Sequence, residues 1–150
     1  MLIRNVLVGV DGSENSGRAL DFALDLAEKF GASITILNVS EALVMSGVPQ
    51  ESAAYPSGST AVIAKDLVAI QDEVISKNVE HARAVKPNLS VSSMAREGDV
   101  ASEIVNAAKD GGFDVIVVGH RGTGKMRERF LGSVSEKVAH NAPCSVVIVK

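Results

Sequence analysis

The sequence predicts a doubly wound α/β domain, a five-stranded parallel sheet with helices on both faces. Three observations carry that prediction. Apolar runs of strand length alternate with longer segments of helical periodicity, with no break in composition between them. The residues are 46% hydrophobic but only 3% aromatic, so the core is made of Val, Ile, Leu and Ala, the palette of parallel strands covered by helices. At 150 residues the chain has the usual size of one domain, 1–150, with one core.

Ile3–Val10 is rich in Val, Leu and Ile with little alternation, and reads as a strand buried on both faces. Asp11-Gly12-Ser13 is the turn after it. The first helix starts near Ser13 or Ser16 and carries an apolar stripe at Ala19, Ala23, Leu26 and Phe30, widened by Leu20, Leu24 and Ala27. Gly31 suits the residue that ends a helix in the left-handed conformation. Ser33–Val39 is the second strand.

Residues 40–59 hold Gly47, Pro49, Pro56 and Gly58 and no periodicity, which predicts a long loop or a lid. From Thr60 to about Val85 the spacing of Ile63, Leu67, Ile70 and Val74 predicts a second helix, closed by Pro87. Ser90–Arg96 is a third strand, polar enough for a sheet edge. Asp99 caps a third helix with Val100, Ile104, Ala107 and Ala108 inward, and Gly111-Gly112 stops it. Phe113–Val118 is the fourth strand. A short helix, Ser133–Asn141, shows the capping-box spacing Ser133 to Glu136, Pro143 blocks its continuation, and Ser145–Val149 is the fifth strand.

Net charge −3 and a pI near 5.6 argue against a nucleic-acid or anionic-membrane surface. The lone Cys144 forms no internal disulfide and has no metal-ligand spacing with the three histidines, so a reducing cytoplasm is expected. No stretch approaches the roughly 18 apolar residues of a membrane span. The start lacks the basic region and cleavage site of a signal peptide.

The chain is organised around Gly119-His120-Arg121-Gly122-Thr123-Gly124-Lys125, which follows the fourth strand and runs on to Gly132-Ser133. A glycine-rich cationic loop that leads into a helix start offers an anion many N–H donors and a favourable dipole. Phosphate is the ligand it suggests. Gly119, Gly124 and Lys125 match most of a P-loop, but Met126 has no hydroxyl for Mg²⁺ and the motif follows the fourth strand rather than the first. The first strand-to-helix turn, Gly9-Val10-Asp11-Gly12, puts an acid where a dinucleotide fingerprint needs glycine.

Read with another spacing the late loop is G-x2-G-x9-G-S, at Gly119, Gly122, Gly132 and Ser133. With Val6–Ser13, Leu37-Asn38-Val39, Gly98-Asp99 and Ala142–Val149, it resembles the ATP-binding type of the universal stress protein family along nearly the whole chain. The resemblance implies strand order 3-2-1-4-5 and ATP, ADP or AMP above the first and fourth strands. It implies that Val10, Asp11 and Val39 contact adenine and ribose, and that Gly119, Gly122, Gly132, Ser133 and Val134 wrap the ribose and phosphates. His120 and Arg121 fall in the variable positions.

Some residues fit two roles. Ser133 is either a plain cap or a cap that also donates to phosphate, and Asp11 is either a turn former or a nucleotide ligand, alone or through Mg²⁺ or Mn²⁺. Arg121 and Lys125 lie near phosphate or in solvent, Arg127 and Arg129 in solvent. His81 and His140 read as surface residues, Cys144 as a small hydrophobe. No residue pair forms a general base with a positioned water, which predicts at most slow hydrolysis. Ser145–Val149 is uncharged, and as an edge it calls for a second copy, as the resemblance also implies. The expectation is a cytoplasmic, dimeric, nucleotide-dependent regulatory or stress-response factor with a regulatory protein partner of unknown identity. The rivals are a metal-dependent slow ATPase or phosphotransferase using Asp11, and a nucleotide-free dimeric interaction domain.

Overall fold

A computed structural model describes residues 2–41, 59–120 and 132–150, and within 59–64 the main chain alone. The elements follow the predicted alternation: β1 (Asn5–Gly9), α1 (Glu14–Phe30), β2 (Ser33–Ser40), α2 (Ser59–Val85), β3 (Val91–Glu97), α3 (Val100–Gly111), β4 (Val115–Gly119), α4 (Ser133–Asn141) and β5 (Ser145–Val149). The strands form one sheet in the order β3-β2-β1-β4-β5, and every pair is parallel. This is the order implied by the family resemblance.

The central strands are apolar on both faces because each face meets a layer of helices. On one side Val6, Val8, Ile34, Ile36, Val115 and Val117 pack against Leu20 and Leu24 of α1. On the other, Leu7, Leu37, Ile116 and Val118 pack against Ile104 and Ala107 of α3 and Val138 of α4. A continuous Val/Leu/Ile run is therefore two alternating sets of side chains, one for each core.

Local signals set the helix ends. Ser13 caps α1 by accepting from the Ser16 N–H, and Asp99 caps α3 by accepting from the Ser102 N–H. Gly31 and Gly112 end these helices with φ +65° and +62°, a conformation that costs other residues a clash at Cβ.

The predicted apolar stripes need two corrections. Phe30, the last residue of α1, is 47% exposed. Ile70 is 59% exposed, and Gln71 takes the buried position between Leu67 and Val74. Helix α2 lies over β2 and β3 near the sheet edge, and among its described side chains before Val74 the deepest place goes to an amide with hydrogen bonds to make. Of the loop or lid expected at 40–59, Ser40 closes β2 and Ser59 opens α2, and 42–58 lie outside the described residues. At the two ends of the sheet, β3 carries Arg96 and Glu97, whereas β5 has no charged residue.

Candidate functional site

Strand order reverses between β1 and β4. From β1 the chain turns into α1 on one face of the sheet, and α4, after β4, lies on the other. The carboxyl ends of β1 and β4 thus border a crevice from which two connections diverge, the place where open α/β sheets take ligands.

On the β1 side the turn is closed by hydrogen bonds. The Val10 N–H donates to the Leu37 carbonyl at 2.9 Å, and the Val10 carbonyl accepts from Asn38 Nδ2 at 2.7 Å. The Val10 side chain is buried in the core shared with α1. Asp11 Oδ1 accepts from the Ser13 N–H at 2.9 Å, and the Asp11 N–H donates to Ser16 Oγ at 3.2 Å. Gly12, at φ +85°, lets the chain reverse here. Asp11 is therefore a turn former, with an exposed carboxylate beside the crevice.

On the β4 side, a Cβ on Gly119 would stand 3.0 Å from the carbonyl carbon and oxygen of Asn15. Glycine is required there because the first turn of α1 lies against the end of β4. His120 then joins three elements through its main chain. Its N–H donates to the Val149 carbonyl at 2.9 Å, and its carbonyl accepts from the Gly132 N–H at 2.7 Å and from Ser135 Oγ at 3.0 Å. Its Nδ1 is buried and has no hydrogen-bond partner among the described residues.

Helix α4 starts differently from the capping box predicted at Ser133. The cap residue is Gly132, with no side-chain cap, and Ser133 is the first helical residue. The main chain at 132 is drawn to the His120 carbonyl, which moves the cap one position upstream. The first intrahelical bond is Glu136 N–H to the Gly132 carbonyl at 3.0 Å. The N–H groups of Ser133, Val134 and Ser135 precede it, in the part of a helix where donors have no intrahelical acceptor. Ser133 is exposed, and Val134 packs its side chain into the core beneath α3 and α4.

Of the predicted site residues, the structure gathers Val10 and Asp11 at the end of β1, Gly119 at the end of β4, and Gly132, Ser133 and Val134 at the start of α4. Val39 lies on β2, two residues past the Leu37 that faces Gly9. Gly122, Arg121, Lys125, Arg127 and Arg129 lie outside the described residues. Four residues to which sequence reasoning gave no part in the site also serve this end of the sheet: Ser16, Asn38, Gln71 and Ser135, the buried polar side chains among the described residues. Ser16 and Asn38 bond the β1 turn. Gln71 Nε2 donates to the Asn38 and Arg96 carbonyls at 3.2 and 3.0 Å, and Ser135 bonds the Gly132 and His120 carbonyls. A polar residue at an apolar position is the signal that would have found Asn38 and Gln71.

The other candidates have structural roles. Burial, with the nearby Asp114 carboxylate, pushes the Cys144 thiol up, away from nucleophilic chemistry. His81 pairs with Asp21 at 2.7 Å on the outer surface of α1 and α2, and His140 is exposed on α4. Among the described residues no group of three or more His, Cys, Asp and Glu side chains is placed to hold a metal ion. No described helix is long and apolar enough to cross a membrane.

Comparison with known proteins places this geometry in context. The universal stress protein family model matches residues 2–150. Universal stress protein YxiE of Bacillus subtilis (strain 168) is 32% identical over 149 residues, which span 99% of this chain and 100% of that protein. A universal stress protein of Methanothermobacter thermautotrophicus is 33% identical over 153 residues, 99% of this chain and 97% of its own. Among solved structures, a universal stress protein in complex with cAMP superposes with a TM-score of 0.76 at 24% identity, covering 100% of this chain and 99% of that one. The universal stress protein from Archaeoglobus fulgidus in complex with dAMP gives 0.70 at 21% identity and covers 100% of both chains. At such identities these two structures establish a shared fold.

Proposed function

The chain belongs to the universal stress protein family, and from that premise we propose that it binds ATP, ADP or AMP in the crevice between β1 and β4 and acts as a nucleotide-dependent regulatory or stress-response factor. The observation that carries the reading is the start of α4. A helix that begins on glycine with no side-chain cap presents its first donors and the positive end of its dipole to an anion. Ser133 and Val134 then hold phosphate through main-chain N–H groups and the Ser133 hydroxyl adds a donor, while Gly132, whose own N–H is taken by the His120 carbonyl, lets the phosphate approach without a side chain in the way. Gly119 lets β4 end close to α1, and Gly122 completes the loop motif. Val10, Asp11 and Val39 take the base and ribose, where a carboxylate suits sugar hydroxyls better than phosphate.

The cAMP and dAMP complexes of structural relatives support an adenine nucleotide. A Mg²⁺ or Mn²⁺ ion would arrive with the nucleotide's phosphates. Hydrolysis is at most slow, because the Asp11 carboxylate already holds the turn by accepting from the Ser13 N–H. The protein works in the cytoplasm as a homodimer paired antiparallel along β5, which ends the sheet with an uncharged edge. A regulatory protein partner reads the nucleotide state.

The test is direct. Mass spectrometry of the gently denatured protein should find a bound adenine nucleotide, and calorimetry should detect ATP, ADP or AMP binding. No nucleotide and no heat with any of the three overturns the proposal. The exposed Asp11 carboxylate favours one rival, a metal-dependent slow ATPase. Phosphate release near ~1 s⁻¹, dependent on Mg²⁺ and abolished in Asp11→Ala, would establish that rival instead.

A further inference from the structure

We infer that Asn38 and Gln71 are positioning residues for the base-and-ribose half of the site, an inference that rests on the nucleotide reading above. Both are buried, at 7% and 8% exposure. A buried carboxamide is costly unless its hydrogen bonds are made, so each should be used where it sits. Ser16 serves its own turn, whereas these two amides reach across the fold. Asn38 Nδ2 crosses from β2 to the Val10 carbonyl, 28 positions away in sequence. Gln71 Nε2 crosses from α2 to the Asn38 carbonyl and to the Arg96 carbonyl on β3.

The bonds make a chain from α2 through β2 to β1 that ends one residue before Asp11. Both backbone groups of Val10 are engaged with β2, its N–H by the Leu37 carbonyl and its carbonyl by Asn38. Gln71 lies between Leu67 and Val74 on the buried strip of α2, where a leucine or methionine would bury more apolar surface. What an amide adds at that position is a donor for two carbonyls near the carboxyl ends of their strands. The phosphate half is held by other groups, the His120 carbonyl and Ser135. No side chain named in one set of bonds takes part in the other, so the two halves are separable.

The experiment compares ATP with adenosine, which lacks the phosphates, by calorimetry on the full chain. In Asn38→Leu the Val10 carbonyl loses its side-chain partner, and in Gln71→Met two strand-end carbonyls lose theirs. Each variant is expected to weaken adenosine and ATP alike by about tenfold, the effect of about 1.4 kcal/mol. The ratio of the two affinities, which isolates the phosphate half, should stay within about twofold of wild type. Gly132→Val is the counterpart, expected to collapse that ratio while adenosine still binds. Thermal melts identify folded variants, and if Asn38→Leu does not fold, Gln71→Met carries the test alone. Unchanged affinities, or a loss for ATP that exceeds the loss for adenosine, overturn the inference. A wild-type protein that binds neither ligand overturns the nucleotide reading itself, a distinguishable result.

Discussion

Helices α1 and α4 both begin at the crevice, yet their first turns are finished in opposite ways. In α1, Ser13 accepts from the Ser16 N–H, Asp11 accepts from the Ser13 N–H, and Ser16 returns a bond to the Ser13 carbonyl. In α4 the cap is a glycine, and Ser135 donates to carbonyls instead of accepting from the helix N–H groups. Helix α3 follows α1, with Asp99 accepting from both the N–H and the hydroxyl of Ser102. A capped helix start has used its donors to stabilise the fold. An uncapped one keeps them for a ligand, at some cost to the helix in its absence. On the proposed function, this contrast is the reason to assign phosphate to the start of α4 rather than to that of α1.

Substitutions can break that contrast, and the largest effect is expected at the open start. Gly132→Val places a branched side chain where phosphate approaches, and should weaken ATP by about a hundredfold, ~2.7 kcal/mol, in calorimetry. An unchanged affinity would remove α4 from the site. Next, Gly119→Ala drives a methyl group against the Asn15 main chain, and about 2 kcal/mol of stability should be lost in urea unfolding. Ser13→Ala should cost about 1 kcal/mol in the same measurement. Ser133→Ala should change stability by less than about 0.5 kcal/mol, because Ser133 is not the cap of α4. Equal losses for the two serines would show that α4 is capped after all.

The smallest effect is the pH dependence of the α3 cap. The Ser102 hydroxyl, then its N–H, lowers the Asp99 carboxyl below its ordinary value. A carboxyl whose pKa is lower in the folded state adds stability above its unfolded value, and the gain disappears as pH falls through the folded one. Wild type should therefore exceed Asp99→Asn by a constant small margin from neutral pH down to the ordinary aspartate range. In more acid solution the margin should shrink to nothing. Asp99 is exposed, so added salt should reduce it further.

Legibility in the sequence followed the range of the deciding interaction. The central strands are legible because burial on both faces leaves a continuous apolar run. The caps at Ser13 and Asp99 and the stops at Gly31 and Gly112 could be read because their partners lie within a few residues. The bounds of α4 are legible but its cap is read one residue late, because Ser133 and Glu136 imitate a local capping box. The deciding bond, Gly132 N–H to the His120 carbonyl, spans the glycine-rich loop. Periodicity places Ile70 inward for a similar reason. Periodicity counts apolar residues, and it has no means of seeing that two strand ends present carbonyls to Gln71. The strand ends that carry Val10, Asp11, Val39 and Gly119 are legible, while the amides that bond the Val10, Asn38 and Arg96 carbonyls are not.

The sheet order also has a consequence in time. Strand β1 meets β2 after one intervening helix, but it meets β4 only when the distant half of the chain returns to it. Asn5 and Asp114, which are hydrogen-bonded beside that seam, stand 109 positions apart. Contacts of such separation carry the larger loop-closure cost and form slowly. A growing chain that has not yet reached β4 has only one wall of the crevice, however well its first two strands are paired. If the crevice takes nucleotide as proposed, the ligand selects the finished molecule over its precursors, and its presence should be felt as a slower rate of unfolding rather than a faster rate of folding.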